Sequence, residues 1–250
     1  MERNFEINEA GYNIRCKIYC SDMKNIKKVV LFGHGFAGHK DNRAAFKFAD
    51  RVMTKYKGIA VITYNAPCHG DDVRKKLKLE DCLTYIDLVL AYIKKEYTEE
   101  IYSYATSFGG YCVLRYIADR GNPFKKIALR SPAIPMYELL TEGMIKPEEM
   151  DRLHKGKDVA VGFDRKITVN MDFLEELKNA DVRDIEFFDY ADDILILHGS
   201  KDEVVDYDTV YRFAEDNCIE FIRVEGADHR FQKPACMEAA IKSILAFFSF

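Results

Sequence analysis

The sequence predicts an α/β protein built on a mostly parallel sheet. Short apolar runs of strand length recur along the chain, stretches of helical spacing separate them, and polar loops rich in Gly, Ser, His and Asp follow several of the runs. Parallel neighbours need a crossover long enough to return the chain, and strands covered on both faces read as near-continuous apolar runs.

Taken in order, residues 5–9 and 12–19 read as a hairpin around Glu9-Ala10-Gly11, and Lys28-Val29-Val30-Leu31-Phe32 is a strand ending at glycine. A helix over about 43–56 places Ala45, Phe48, Ala49, Val52 and Met53 on one face. The run Ile59-Ala60-Val61-Ile62-Thr63-Tyr64 ends in a turn containing Asn65, Pro67 and Gly70. The alternation continues with a helix at 79–96, a strand at 100–105, a helix at 108–119 and the strand Lys126-Ile127-Ala128-Leu129-Arg130. It resumes later with Ile194-Leu195-Ile196-Leu197, a helix at about 206–217, the strand Glu220-Phe221-Ile222-Arg223-Val224 and a helix from about 234.

Between 134 and 190 the rhythm breaks into a charged, helix-prone stretch with no long apolar strand. The sequence therefore predicts a core of residues 1–133 and 191–250 that carries a cap insertion at 134–190.

Composition narrows the function classes. The 250 residues are 48% hydrophobic and 31% charged, and 37 basic against 41 acidic side chains give a net charge of −4, so no basic face is expected to gather nucleic acid. No run approaches the roughly 18 apolar residues of a membrane span, and the N-terminal segment lacks a basic-then-apolar leader. The expectation is a cytoplasmic protein without a nucleic-acid or membrane partner, its oligomeric state left open. Seven dispersed cysteines without a CxxC pair read as reduced thiols.

The strand at 100–105 runs through Ala105-Thr106-Ser107-Phe108-Gly109-Gly110 into an apolar helix. This is the strand–turn–helix context of a G-x-S-x-G nucleophile elbow, with alanine at the first glycine. A serine hydroxyl needs a base, and His229 stands in Gly226-Ala227-Asp228-His229 after the strand at 220–224. Asp202 stands in His198-Gly199-Ser200-Lys201-Asp202 after the strand at 194–197, with Asp206 and Asp228 as nearest substitutes for the acid. A loop aspartate here also reads as a helix cap. The N–H of Phe108 and that of Phe36, within Gly33-His34-Gly35-Phe36-Ala37-Gly38, are placed to form an oxyanion hole.

HGFAG at 34–38, ATSFGG at 105–110, HGSKDEVV at 198–205 and GADH at 226–229 resemble the serine-hydrolase members of the α/β-hydrolase superfamily. HGFAGHK at 34–40 is most similar to the bacterial cinnamoyl/feruloyl esterase-like group, with monoacylglycerol lipase-like and aminopeptidase-like relatives close. The resemblance implies Ser107 as nucleophile, His229 as general base, Asp202 as its orienting acid and the N–H groups of Phe36 and Phe108 as oxyanion hole, without cofactor or metal. It implies cleavage of a small carboxylic ester through an acyl-enzyme. Two departures stand out: Ala105 in the elbow, and Asn65-Ala66-Pro67-Cys68-His69-Gly70-Asp71-Asp72 where relatives often carry Asp-x-x-Gly-His-Gly-x-Ser.

Other readings of the same residues exist. A peptidase or thioesterase would use the same triad, and a binding protein would keep the fold without turnover. A metal site would have to gather His34, His39, His69, Asp71 and Asp72. Phe36, Phe108, Tyr111, Tyr137 and Phe163 are candidates for an acyl pocket, although most aromatic side chains fill core.

Overall fold

The computed structural model describes residues 1–162 and 165–250. Phe163 falls outside the described residues. Strands β1 (Glu2–Glu9) and β2 (Tyr12–Cys20) form the expected hairpin. Its two-residue turn has φ of 50° at Ala10 and 78° at Gly11, the pair of left-handed residues that matches the strand twist. After them come β3 (Lys28–Gly33), α1 (Arg43–Lys55), β4 (Ile59–Tyr64), α2 (Leu79–Glu96), β5 (Ile101–Thr106), α3 (Phe108–Arg120) and β6 (Ile127–Arg130).

The segment between β6 and the next strand of the sheet contains α4 (Met136–Glu138), which continues as a π turn over Leu139–Met144, α5 (Pro147–His154), β7 (Val159–Val161), β8 (Ile167–Val169) and α6 (Met171–Lys178). Then β9 (Ile194–Gly199), α7 (Tyr207–Asp216), β10 (Glu220–Val224) and α8 (Pro234–Phe248) complete the described order.

Eight strands form one sheet in the order β1-β2-β4-β3-β5-β6-β9-β10. The pairs β1–β2 and β2–β4 are antiparallel. From β4 to β10 every neighbouring pair is parallel. The carboxyl ends of β3, β4, β5, β6, β9 and β10 therefore share one edge, where open sheets place their ligands.

Strands β4 and β5 are buried at every position because helices cover both faces. One face carries α2, α3 and α7, and the other carries α1 and α8. Each Val, Leu or Ile buried there stabilises the fold by roughly 1.5–3 kcal/mol relative to exposure.

This segment packs on the α2/α3 side. Its Phe173, Leu174, Leu177 and Val182 join that apolar cluster, Tyr111 Oη of α3 donates to the Ala180 carbonyl at 2.9 Å, and Glu176 accepts the Leu79 N–H at 2.7 Å. Strands β7 and β8 pair with each other, separately from the main sheet. They escape the sequence reading because three residues in a buried–exposed–buried pattern leave no apolar run. Among the described residues no helix is long and apolar enough to cross a membrane.

Candidate active site

Close packing fixes the elbow first. Ser107 sits between β5 and α3 with φ 51° and ψ −120°, a left-handed conformation costly for a residue with a Cβ. Neighbouring backbone holds it there: its N–H donates to the Arg130 carbonyl at 3.1 Å, and its carbonyl accepts from Ala133 N at 3.1 Å. Helix α3 presses so tightly on β3 that a Cβ on Gly109 would stand 2.7 Å from the Gly33 carbonyl. Ala105 is tolerated in the elbow because its partner across the β3–β5 ladder is Gly33, which presents no side chain against it.

Three loops then bring the remaining groups together. His229 Nε2 lies 3.1 Å from Ser107 Oγ, and His229 Nδ1 lies 2.9 Å from Asp202 Oδ2 and 3.0 Å from Oδ1. The Asp202 side chain is wholly buried while His229 keeps 13% of its side chain exposed, so the acid is sealed and the base stays open to solvent. Burial disfavours the Asp202 carboxylate, but the His229 hydrogen bond and charge, together with the Val205 N–H, outweigh it and hold the pKa down to about 2. An ionised carboxylate can only accept, so Nδ1 carries the proton and Nε2 is left bare to accept from the serine hydroxyl.

Asp202 does not cap α7. Its Oδ1 accepts Val204 N at 3.0 Å and Val205 N at 2.9 Å, and the cap is Asp206, whose Oδ2 accepts Thr209 N at 2.8 Å. Of the two substitutes for the acid, Asp206 is thus spent on the helix, and Asp228 accepts Gln232 N at 2.8 Å.

The loop after β3 lies against the elbow. A Cβ on Gly35 would stand 3.2 Å from Ser107 Cβ and 3.7 Å from its Oγ. A turn closed by Gly38 N on the Gly35 carbonyl at 2.9 Å puts Phe36 and Ala37 at its centre, with Ala37 at φ 59°. The Phe36 N–H is therefore not the donor that closes the turn. Phe108 opens α3, so its N–H belongs to the first-turn donors that have no intrahelical acceptor. The Phe36 and Phe108 rings meet edge to face at 5.7 Å.

Two buried histidines brace this loop. Ala66 N donates to His34 Nε2 at 3.0 Å, which leaves the proton on Nδ1 to reach the Gly35 carbonyl at 2.8 Å. Burial, reinforced by His69, pushes the His34 pKa down to about 3. His69 stacks on Phe108 at 5.9 Å, donates through Nδ1 to the Pro67 carbonyl at 2.7 Å, and is lowered by burial to about 4.

The second departure resolves in the same place. Asn65 Oδ1 accepts Lys40 N at 2.7 Å while its amide donates to Asp71, so asparagine ties the β4 loop to the β3 loop. Among the described residues no group of three or more His, Cys, Asp or Glu is placed to hold a metal ion.

Of the expected pocket aromatics, Phe36 and Tyr137 are half-buried. Phe108 and Tyr111 are each 1% exposed and belong to the core. Sequence reasoning did not find Glu203, whose carboxylate accepts the His229 N–H at 3.2 Å. Its place next to Asp202 was the available signal.

A sequence profile described as the prolyl oligopeptidase family matches residues 68–249 of the chain. No curated protein sequence matches it. Among solved structures it is similar to Est1E from Butyrivibrio proteoclasticus, at 20% identity and a TM-score of 0.76 over 99% of each chain. A second structure of Est1E, 21% identical over 98% of this chain and all of that one, with a TM-score of 0.76, holds ferulic acid. Mouse alpha/beta hydrolase domain-containing protein 10 is 15% identical, with a TM-score of 0.73 over 99% of this chain and 98% of that one. The monoacylglycerol lipase of Paleococcus ferrophilus is 18% identical, with a TM-score of 0.65 over 94% and 98%. These likenesses identify an α/β-hydrolase fold.

Proposed function

The chain belongs to the prolyl oligopeptidase family, and on that premise we propose that it is a serine hydrolase cleaving small carboxylic esters through an acyl-enzyme. The observation that carries this reading is the unbroken hydrogen-bonded series Ser107 Oγ, His229 Nε2, His229 Nδ1 and Asp202, at 3.1 and 2.9 Å. Hydrogen-bond contact between nucleophile and base, with the base oriented by a third group, is what activates a neutral hydroxyl.

In the proposed reaction Ser107 Oγ attacks the ester carbonyl while His229 Nε2 takes its proton. The carbonyl oxygen becomes an oxyanion facing the N–H groups of Phe36 and Phe108. Collapse breaks the bond to the alcohol, which leaves with the proton from His229. A water activated by the same imidazole then attacks the acyl-enzyme and releases the acid. No cofactor or metal enters these steps.

The insertion at 134–190 acts as the cap that selects the acyl or alcohol group. The half-buried Phe36, its ring edge to face with Phe108 in the loop against Ser107, and the ferulic acid held by Est1E support a cinnamoyl-type acyl group. Seven free cysteines support a cytoplasmic location.

A second reading, hydrolysis of an aminoacyl amide, is favoured by the family's description. Matched ester, thioester and aminoacyl-amide substrates, run with wild type and Ser107→Ala, test both. The ester reading requires the highest kcat/KM on the ester and none in the variant; a higher value on the amide overturns it in favour of the peptidase.

A further inference from the structure

Strand β6 ends on a buried cation. Arg130 is 5% exposed, and among the described residues no carboxylate pairs with it. Its Nη1 donates to Met237 Sδ at 3.3 Å, and its guanidinium carbon stands 4.9 Å from the centre of the Phe231 ring. Its Nε has no partner among the described residues. A guanidinium taken out of water without a counterion is costly, so the contacts it does make are informative.

Phe231 lies two residues past His229. It is 1% exposed and held at φ 53°, a conformation that a bulky side chain adopts only where its surroundings impose it. The turn leading into it closes with Phe231 N on the Asp228 carbonyl at 3.0 Å. The ring beneath the turn is gripped from below by the Arg130 guanidinium, an arrangement in which a flat cation on an aromatic face fixes orientation as well as position. At its other end the same residue accepts the Ser107 N–H on its carbonyl at 3.1 Å. One residue thus holds both the nucleophile's backbone and the loop that carries the base.

We infer that Arg130 is a positioning residue that sets the distance between His229 Nε2 and Ser107 Oγ by clamping Phe231. The inference rests on the serine-hydrolase reading for its effect on rate, but not for the clamp itself. Arg130 touches no substrate and donates no proton; it acts through the 228–231 turn.

The test uses the whole chain as Arg130→Met, Arg130→Lys, Phe231→Leu and the Arg130→Met/Phe231→Leu double variant. Turnover of p-nitrophenyl acetate, labelling by a fluorophosphonate and amide hydrogen exchange over residues 226–233 are measured for each. Arg130→Met is expected to lower kcat and the labelling rate by about tenfold with KM within twofold, because the clamp has the strength of a desolvated cation–aromatic pair. Arg130→Lys recovers part of the loss, Phe231→Leu reproduces it, and the double variant loses no more than either single one. Exchange in 226–233 accelerates in step.

The inference is overturned if a wild type that labels is matched within twofold by Arg130→Met, or if the two single losses multiply in the double variant. Should Arg130→Met not fold, Phe231→Leu with unchanged kcat and exchange overturns it equally. A wild type that neither labels nor turns over the ester counts against the hydrolase reading, and exchange alone then decides whether Arg130 clamps the loop.

Discussion

His198 Nε2 stands 3.4 Å from Oδ2 of Asp202, on a carboxylate already bound to His229 at 2.9 Å. Both side chains are wholly buried. The His198 Nε2 proton is directed to the Val205 carbonyl at 3.0 Å, and burial lowers the pKa of this imidazole. His198 therefore stays neutral, and the negative charge of Asp202 is reserved for His229.

Replacing Asp202 by Asn tests that division of labour. The amide keeps the shape of the carboxylate, but its NH₂ favours the His229 tautomer with the proton on Nε2, where it cannot accept from Ser107. Steady-state kinetics of Asp202→Asn should show kcat lower by about 10⁴ with the fold retained. A loss under tenfold would mean that another group orients the imidazole.

The low pKa of Asp202, about 2, fixes the form of the pH profile. His34 and His69, at about 3 and 4, stay neutral through the working range. No ionisation of Asp202, His34 or His69 should therefore enter the kcat/KM profile between pH 5 and 7, where any acid limb should not exceed a slope of one. A slope of two would show a second essential ionisation that the site does not contain.

Those two buried histidines predict acid instability. Each is protonated in the unfolded chain below about pH 6.5, yet stays neutral in the fold down to about 3 for His34 and about 4 for His69. The unfolded state binds more protons in that window, so stability is present above pH 6.5 and is lost as pH falls through it, by up to about 1.4 kcal/mol per pH unit for each group. Urea melts from pH 7 to 4 should show the slope, and His69→Gln should remove about half of it. An unchanged slope in that variant would refute the assignment.

Gly109 is where the elbow tolerates least. A methyl there meets backbone of Gly33 and His34 at 2.7 Å, and neither can step aside without parting β3 from α3. Gly109→Ala should cost about 1–3 kcal/mol in thermal unfolding and lower kcat with it. A stable variant of full activity would place the helix farther from the strand than 2.7 Å implies.

What the sequence makes legible follows from periodicity and turn chemistry. The spacing of α2 gives 79–96, the same bounds as Leu79–Glu96 in the structure, because nine of its residues are buried on a continuous face. The residues Ser107, Asp202 and His229 are readable because each follows an apolar strand in a glycine-containing loop. Arg130 and Phe231 are not, since a lone charge at the end of an apolar strand looks like a solvated terminus until the 228–231 turn folds over it. Strands β7 and β8 are too short to carry a period. The role of Asn65 depends on the Lys40 N–H, 25 positions away in sequence, which no local pattern can anticipate.

Whether Ser107 is an activated nucleophile is decided by covalent labelling. The purified protein is incubated with a fluorophosphonate and the adduct mapped by mass spectrometry beside Ser107→Ala. An activated Ser107 gives a single adduct on that residue, absent from the variant, and ester turnover is lost in proportion to labelling. A folded wild type that takes no label, or a Ser107→Ala variant that labels and turns over as fast as wild type, would contradict it.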